Sequence, residues 1–471
     1  MHKGARKQCK YMEKGNGFVK LEVKKFVDSQ DKKRSRKTSI IEGSFSAFSS
    51  GAGDNYIIPF ARELLSKPFQ IGILNAFPGF LGPLAQFFGS RIMERQSRKS
   101  IVTRFAFLQA LMWIPIGLIG ILFWMGWIKG SAPFLLVIGY SLLVFFGNLA
   151  GPAWFSWMGD IIPERQRGKY FSRRNRITGT FGMIAFLLGA FLLDFFKTKG
   201  FVLIAFFILF SVSSVCRMMG FVFFSKQHEP KLILKKEEYY FSFWQFLRRY
   251  SNFTKFSIYM AAFHFAMALG GPFFVLYMLQ ELKFSYITYM AVSLSATVFY
   301  LILAPYTGKF SDKYGNNHLI YIASILFSIY PILWILFRTP IKLIFITQLI
   351  GGVATAAFAI GTTNFIYDTI TPQRRALCIS YMHILIGIGI FFGSLLGGFI
   401  LNYAHPSNIS PFIFLFSITG ILRAVTSVVF FSRVKEIKTY KVVPKPLMYA
   451  LHPFKLIQSQ FVWVKNQIDK L

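Results

Sequence analysis

Asp160-Ile-Ile-Pro163-Glu-Arg-Gln-Arg167-Gly168 and Asp368-Thr-Ile-Thr-Pro372-Gln-Arg-Arg375-Ala376 are two copies of one pattern, 208 residues apart. In each, an Asp closes an apolar run, a Pro follows within four residues, and an Arg stands seven after the Asp. The same spacing carries Leu187-Leu-Gly-Ala-Phe-Leu-Leu-Asp-Phe195 onto Leu395-Leu-Gly-Gly-Phe-Ile-Leu-Asn-Tyr403. A repeat of this length is too long for a solenoid unit, so the chain reads as two similar halves.

Composition identifies the solvent. Of 471 residues, 54% are hydrophobic, 18% aromatic and only 15% charged, with mean hydropathy +0.48. Long apolar runs with few charges recur, as in transmembrane helices. We place twelve spans at about 40–62, 69–90, 101–128, 132–159, 177–196, 199–225, 256–280, 286–307, 319–338, 341–366, 378–403 and 410–432. The runs are too long for strands and do not alternate, and backbone groups in lipid must pair within the segment, so the spans are helices. The expected fold is an all-α integral membrane protein of two six-helix pseudo-repeats. Its parts are a basic arm (1–38), a first half (39–225), a linker (226–255), a second half (256–432) and a tail (433–471) with an amphipathic helix from Leu447.

The net charge of +34 raises the question of a nucleic-acid partner. With both termini placed in the cytoplasm, the outer connections hold only Arg62, Lys67, Lys129, Lys197, Lys199, Lys283, Arg338 and Lys342 of the 53 Lys and Arg residues. That is the positive-inside pattern, so the excess is a topology signal and requires no nucleic acid. The arm is expected to be a solvated, partly disordered flank, with anionic lipid headgroups as its sharper assignment. No cleaved signal peptide is recognised, the three cysteines share no disulfide or metal spacing, and no phosphate-binding Gly-rich loop is present. No cofactor, metal or enzyme constellation is expected.

A second pattern follows spans eight and two. Gly308-Lys-Phe-Ser-Asp312-Lys313-Tyr-Gly315 is matched, imperfectly, by Ser90-Arg-Ile-Met-Glu94-Arg95-Gln-Ser97-Arg98. With six plus six spans and the repeated Asp-x6-Arg, these loops make residues 40–432 resemble the major facilitator superfamily. The resemblance implies a secondary transporter moving a small solute by alternating access, with its site near the midplane between the halves. It also implies that Glu94, Arg95, Arg98, Asp160, Arg167, Asp312, Lys313, Asp368 and Arg375 form a cytoplasmic gate, each Asp facing the loop of its own half. Anchoring of helix ends is the plainer role for the same charges. A non-transporting sensor on this fold and a drug-type efflux antiporter are the competing functions. Against the latter, span five has Gly179, Gly182 and Gly189 but lacks the Gly-Pro ladder of those antiporters.

Ionisable groups inside a membrane are costly and therefore informative. Asp54 stands out, beside Asn55 and just after Gly51 and Gly53. The corresponding stretch of span seven is Gly270-Gly271-Pro272, so both halves weaken their first helix at one place. Asp54 either binds substrate or the coupling proton, or is solvated in an outer funnel or paired with Arg62. Asn148, Trp154, His264, Asn364 and His383 are further binding candidates, and Trp157 shares the reading of Trp154. Gln86 is expected to tie helices together, and Arg217 and Arg423 to snorkel toward the inner headgroups. Small residues every four positions in span eleven (Gly389, Gly393, Gly397) predict close helix packing. A monomer is expected.

Overall fold

The computed structural model describes residues 17–93, 95–163, 167–230, 241–404, 409–429 and 434–436. The arm before residue 17, the linker stretch 231–240 and the expected tail helix lie outside them. Every regular element among the described residues is a helix. Eleven are long and apolar enough to cross a membrane by length and composition: Pro68–Ile92, Arg98–Trp124, Ala132–Ile161, Tyr170–Thr198, Val202–Ser225, Asn252–Gln280, Tyr286–Tyr314, Asn316–Leu336, Pro340–Thr369, Leu377–Tyr403 and Pro411–Val429. These are spans two to twelve.

Span one differs from its expectation. Its helix begins at Gly17, well inside the supposed flank, and runs to Ala52, where it breaks and resumes as Ile57–Glu63. The arm's second half is held by the first half's own helices. Tyr170 donates to the Arg36 carbonyl at 2.9 Å, and buried Ser35 accepts the backbone N–H of His228 at 2.9 Å.

Packing repeats the sequence symmetry. Span one lies on five and six, two on four, and three on four and six. Shifted by six, the same pairs hold the second half: seven on eleven and twelve, eight on ten, nine on ten and twelve. The glycine expectation is met in detail. A Cβ at Gly389, Gly393 or Gly397 would strike the carbonyl oxygens of Ala261, Phe265 and Leu269, so spans seven and eleven touch backbone to backbone.

The halves join through spans two and eleven and through five and eight. At the end away from the termini they share one apolar cluster, in which Tyr56, Phe60 and Phe206 meet Tyr277, Tyr286 and Trp334. At the terminus-bearing end each half has its own buried set, around Trp157 and Phe224 in one and Phe256 and Phe365 in the other. The molecule is therefore closed at its far end.

Candidate functional site

Gly53 decides the shape of span one. A Cβ there would run into the Trp113 ring, and the residue is stretched to the edge of the helical region at φ −107° and ψ −72°. Asp54–Tyr56 form a single 3-10 turn before the helix resumes. Pro59, four residues beyond Asn55, has no N–H to return to the Asn55 carbonyl. That carbonyl instead accepts the Tyr289 hydroxyl of span eight at 2.9 Å. The break thus turns Asp54 inward and offers a backbone acceptor to the other half.

Asp54 opens on a cavity of about 340 Å³ between spans one, three, four and six. The lining is mostly polar: Ser46, Ser49, Ser50, Gln109, Asn148 and Arg217, with Trp113 and Tyr140 as aromatic walls. The half-buried carboxylate hydrogen-bonds with Ser50 and Tyr140 and faces the charge of Arg217. Arg62 instead pairs with Glu63, at 2.6 Å, which removes the proposed Asp54–Arg62 pair. Asn55 is exposed, and its amide returns to its own helix at the Gly51 carbonyl. The break of span seven is milder. Gly271 keeps helical dihedrals, and Pro272 only withdraws one donor.

Arg217 corrects its expectation. It turns inward, donating to Ser46 and lying 3.9 Å from Glu42. Glu42 is itself held by Arg174 at 3.4 Å and by the Ser46 hydroxyl at 2.7 Å. Paired charges can stay buried where a lone guanidinium would seek the headgroups. Arg423, its repeat partner, is also buried but satisfies the backbone carbonyls of Ala266, Met267 and Phe327.

A polar chain crosses between the halves beside the cavity. Gln86 donates to Asn148 at 2.8 Å, and its oxygen lies 3.3 Å from His383 Nδ1. His264 lies near His383 and uses its own Nδ1 on the Met260 carbonyl. Two candidates fall away from this group. Asn364 donates to Ser311 near the end of span eight, and Trp154 stacks under Arg174 at 4.7 Å. Trp157 is fully buried and donates to the His228 carbonyl.

The charges at the terminus-bearing end organise around Arg98, one of the residues expected in the gate. Fully buried Arg98 meets Asp160 at 2.6 Å, Ser156 at 3.1 Å and the Pro230 carbonyl at 2.8 Å, while its backbone N–H donates to Glu229. In the second half Asn316 takes the place of Arg98 and donates to Asp368 at 2.9 Å, and Glu436 accepts the backbone N–H of Asn317. Glu229 and Glu436 were missed; each follows the last span of its half at the repeat spacing, which is the signal that marks them. Asp312, Lys313 and Arg95 are exposed, and Arg375 bonds the carbonyls that end its neighbouring span. Glu94 and the Arg167 side chain lie outside the described residues. The ties of Asp160 and Asp368 named here run within one half, so they join the helix ends of that half.

Further bonds between halves sit at the far end. Asp194 of span five accepts the backbone N–H groups of Tyr286 and Ile287, each at 2.9 Å, and so caps span eight from the opposite half. Tyr286 also donates to Glu63 at 2.8 Å. Caps and charges at helix N-termini each contribute on the order of 1 kcal/mol. Asp194→Ala should therefore shift the molecule about 5–30-fold toward opening at the far end. Asp194→Asn, still a capping residue, should shift it less. Spectroscopic distances across the far mouth measure this; equal distances in Asp194→Ala and the unmodified chain would show that the shared apolar cluster alone holds it shut.

Comparison with known proteins agrees with this architecture. The family model described as Major Facilitator Superfamily matches residues 43–276 and again 256–464, one match for each half. Multidrug resistance protein 1 of Bacillus subtilis (strain 168) is 32% identical over 114 residues, covering 24% of this chain and 28% of that protein. Quinolone resistance protein NorA of Staphylococcus aureus (strain MRSA252) is 30% identical over 129 residues, covering 27% and 32%. The chain thus aligns with under a third of the length of either relative. A mutant of the nucleoside transporter NupG superposes with TM-score 0.65 at 13% identity, covering 85% of this chain and 100% of that one. The inward-open xylose transporter XylE from E. coli superposes with TM-score 0.60 at 12% identity, covering 85% and 96%. At these identities the likeness is one of fold.

Proposed function

The chain belongs to the Major Facilitator Superfamily, and on that premise we propose that it is a secondary active transporter, not an enzyme. It moves a small organic cation across the plasma membrane by alternating access, and Asp54 couples that movement to protons. The observation that carries this reading is a carboxylate placed by a helix break on a cavity walled by Trp113 and Tyr140. A carboxylate with aromatic faces suits an alkylammonium group, and the hydroxyl and amide groups of the lining suit a polar remainder. His383, linked to the cavity through Gln86 and Asn148, and His264 beside it are titratable groups of the second half near the site. The reading is tested with protein in liposomes, following benzyltrimethylammonium under a proton gradient. Binding without any flux would favour the sensor alternative. The names of the bacterial relatives favour export as the direction.

We assign the terminus-bearing side to the cytoplasm, where the basic arm meets anionic headgroups. In that orientation the molecule is closed to the outside. Exposed Ser131 and Ser97 lie on opposite sides. Ser131→Cys should react with an impermeant thiol reagent added to whole cells, and Ser97→Cys only after lysis. The reverse pattern would invert the assignment.

A further inference from the structure

Glu42, Ser46, Ser50 and Asp54 are spaced four apart on span one and form a single stripe, with a carboxylate at each end and a hydroxyl on each rung between. Ser46 bonds Glu42 and Ser50 bonds Asp54, so each rung already belongs to one carboxylate. Arg217 of span six faces this stripe. In this structure its guanidinium stands at the Glu42 end, on Ser46, while Nε is buried without a hydrogen-bond partner. Arg217 nevertheless lines the cavity together with Asp54 and feels its charge, whereas Glu42 does not line it.

We propose that Arg217 is a built-in rival of the transported cation for Asp54, and that Glu42 is the acceptor to which it retreats when the site is occupied. The proposal rests on the Asp54 reading above. An ionised Asp54 on a cavity without a bound cation is costly away from bulk water, and among the described residues the only cation lining that cavity is Arg217. When an alkylammonium group arrives, two cations would share one carboxylate, and their repulsion drives the guanidinium along the stripe to Glu42. Ser46 and Ser50 provide acceptors along the way, so the side chain exchanges hydrogen bonds and does not lose them. Arg174, on the far side of Glu42, limits how strongly that end attracts Arg217 and keeps the two positions close in free energy. The structure shows Arg217 at the Glu42 end, where a protonated Asp54, bonded to Ser50 and Tyr140, also leaves it; ionisation of Asp54 with no bound cation draws the guanidinium across. The consequence is selectivity: only a ligand able to displace an internal guanidinium is held.

The test is equilibrium binding of benzyltrimethylammonium to the purified full-length protein. Arg217→Gln removes the rival and should tighten binding about 5-fold or more. Glu42→Gln removes the retreat and should weaken it by a similar factor, although Glu42 does not line the cavity. The double variant should bind like Arg217→Gln alone, because Glu42 matters only through Arg217. A general packing defect would weaken binding in all three. Weaker binding in Arg217→Gln, or a Glu42→Gln effect that persists in the absence of Arg217, overturns the proposal. Should Arg217→Gln fail to fold, Glu42→Gln decides alone: unchanged or tighter binding overturns it. Asp54→Asn separates the two layers of argument. If that variant binds the probe normally, the Asp54 reading falls and the rivalry with it. If it loses the probe while the signs at Arg217 and Glu42 are wrong, only the rivalry falls.

Discussion

Asp54→Asn should abolish concentrative uptake of an organic cation while leaving the protein folded and inserted. Asn keeps the side chain's size and one acceptor oxygen for Ser50 or Tyr140, so the packing around the Gly53 break has no reason to change. What is lost is the charge. Two unit charges about 4 Å apart at an effective dielectric near 20 attract by about 4 kcal/mol. Even half of that lowers affinity roughly 30-fold. Coupling should suffer more than binding, because an amide cannot exchange the proton. In liposomes, uptake driven by a pH gradient should fall to the protein-free rate, while thermal unfolding in detergent stays within about 1 kcal/mol of the unmodified protein, as for other substitutions that preserve shape. Unchanged gradient-driven uptake in Asp54→Asn would return Asp54 to the role of a solvated residue and move the coupling group elsewhere, with His264 and His383 next in line.

The repeated Asp-x6-Arg stretch made the fold legible because it tied hydropathy to symmetry: twelve apolar runs became five helix pairings made twice. The helix break at Asp54 was legible for a local reason, since two glycines and a carboxylate interrupt an apolar run there. Arg217 was misjudged because its partner lies about 175 residues away, near the edge of the basic arm, where Glu42 looks like one more surface charge. Periodicity locates a residue on its own helix and says nothing about which face of another helix it meets. Asp194 shows the same limit. In sequence it is one position of a repeat, matched by Asn402, and its use as a cap on span eight depends on how the two halves dock. The polar arm was expected to be partly disordered from its charge, yet from Gly17 it continues span one, because Ser35, Ser39 and Glu42 give its inner turns buried partners.

Arg98→Ala should produce the largest loss of stability among single changes at the terminus-bearing end, and should do so without opening the mouth between the halves. The guanidinium is fully buried, and its removal leaves Asp160 and Glu229 facing each other's neighbourhood without a cation. Losing one partner of a buried pair costs about 3–5 kcal/mol. Asp160 is 47% exposed and recovers part of that from water, so about 2–3 kcal/mol is expected. Asn316 holds the same position in the second half with a neutral amide. Its replacement by Ala should cost about 1.5 kcal/mol, the lower end of the range for a hydrogen bond to a charged group. The ratio of the two effects, read from unfolding in detergent, tests whether the halves share one anchoring device with different strengths. Salt provides an independent check. Exposed pairs are screened within a Debye length of about 8 Å at physiological ionic strength, but the buried Arg98 contacts are shielded from ions, so high salt should not mimic the substitution. Distances across the terminus-bearing mouth should stay the same in Arg98→Ala and Asp160→Asn, because both bonds join helices of one half. If either variant opens that mouth at full stability, or if salt reproduces its effect, the cluster acts between the halves as a gate and the anchoring assignment fails.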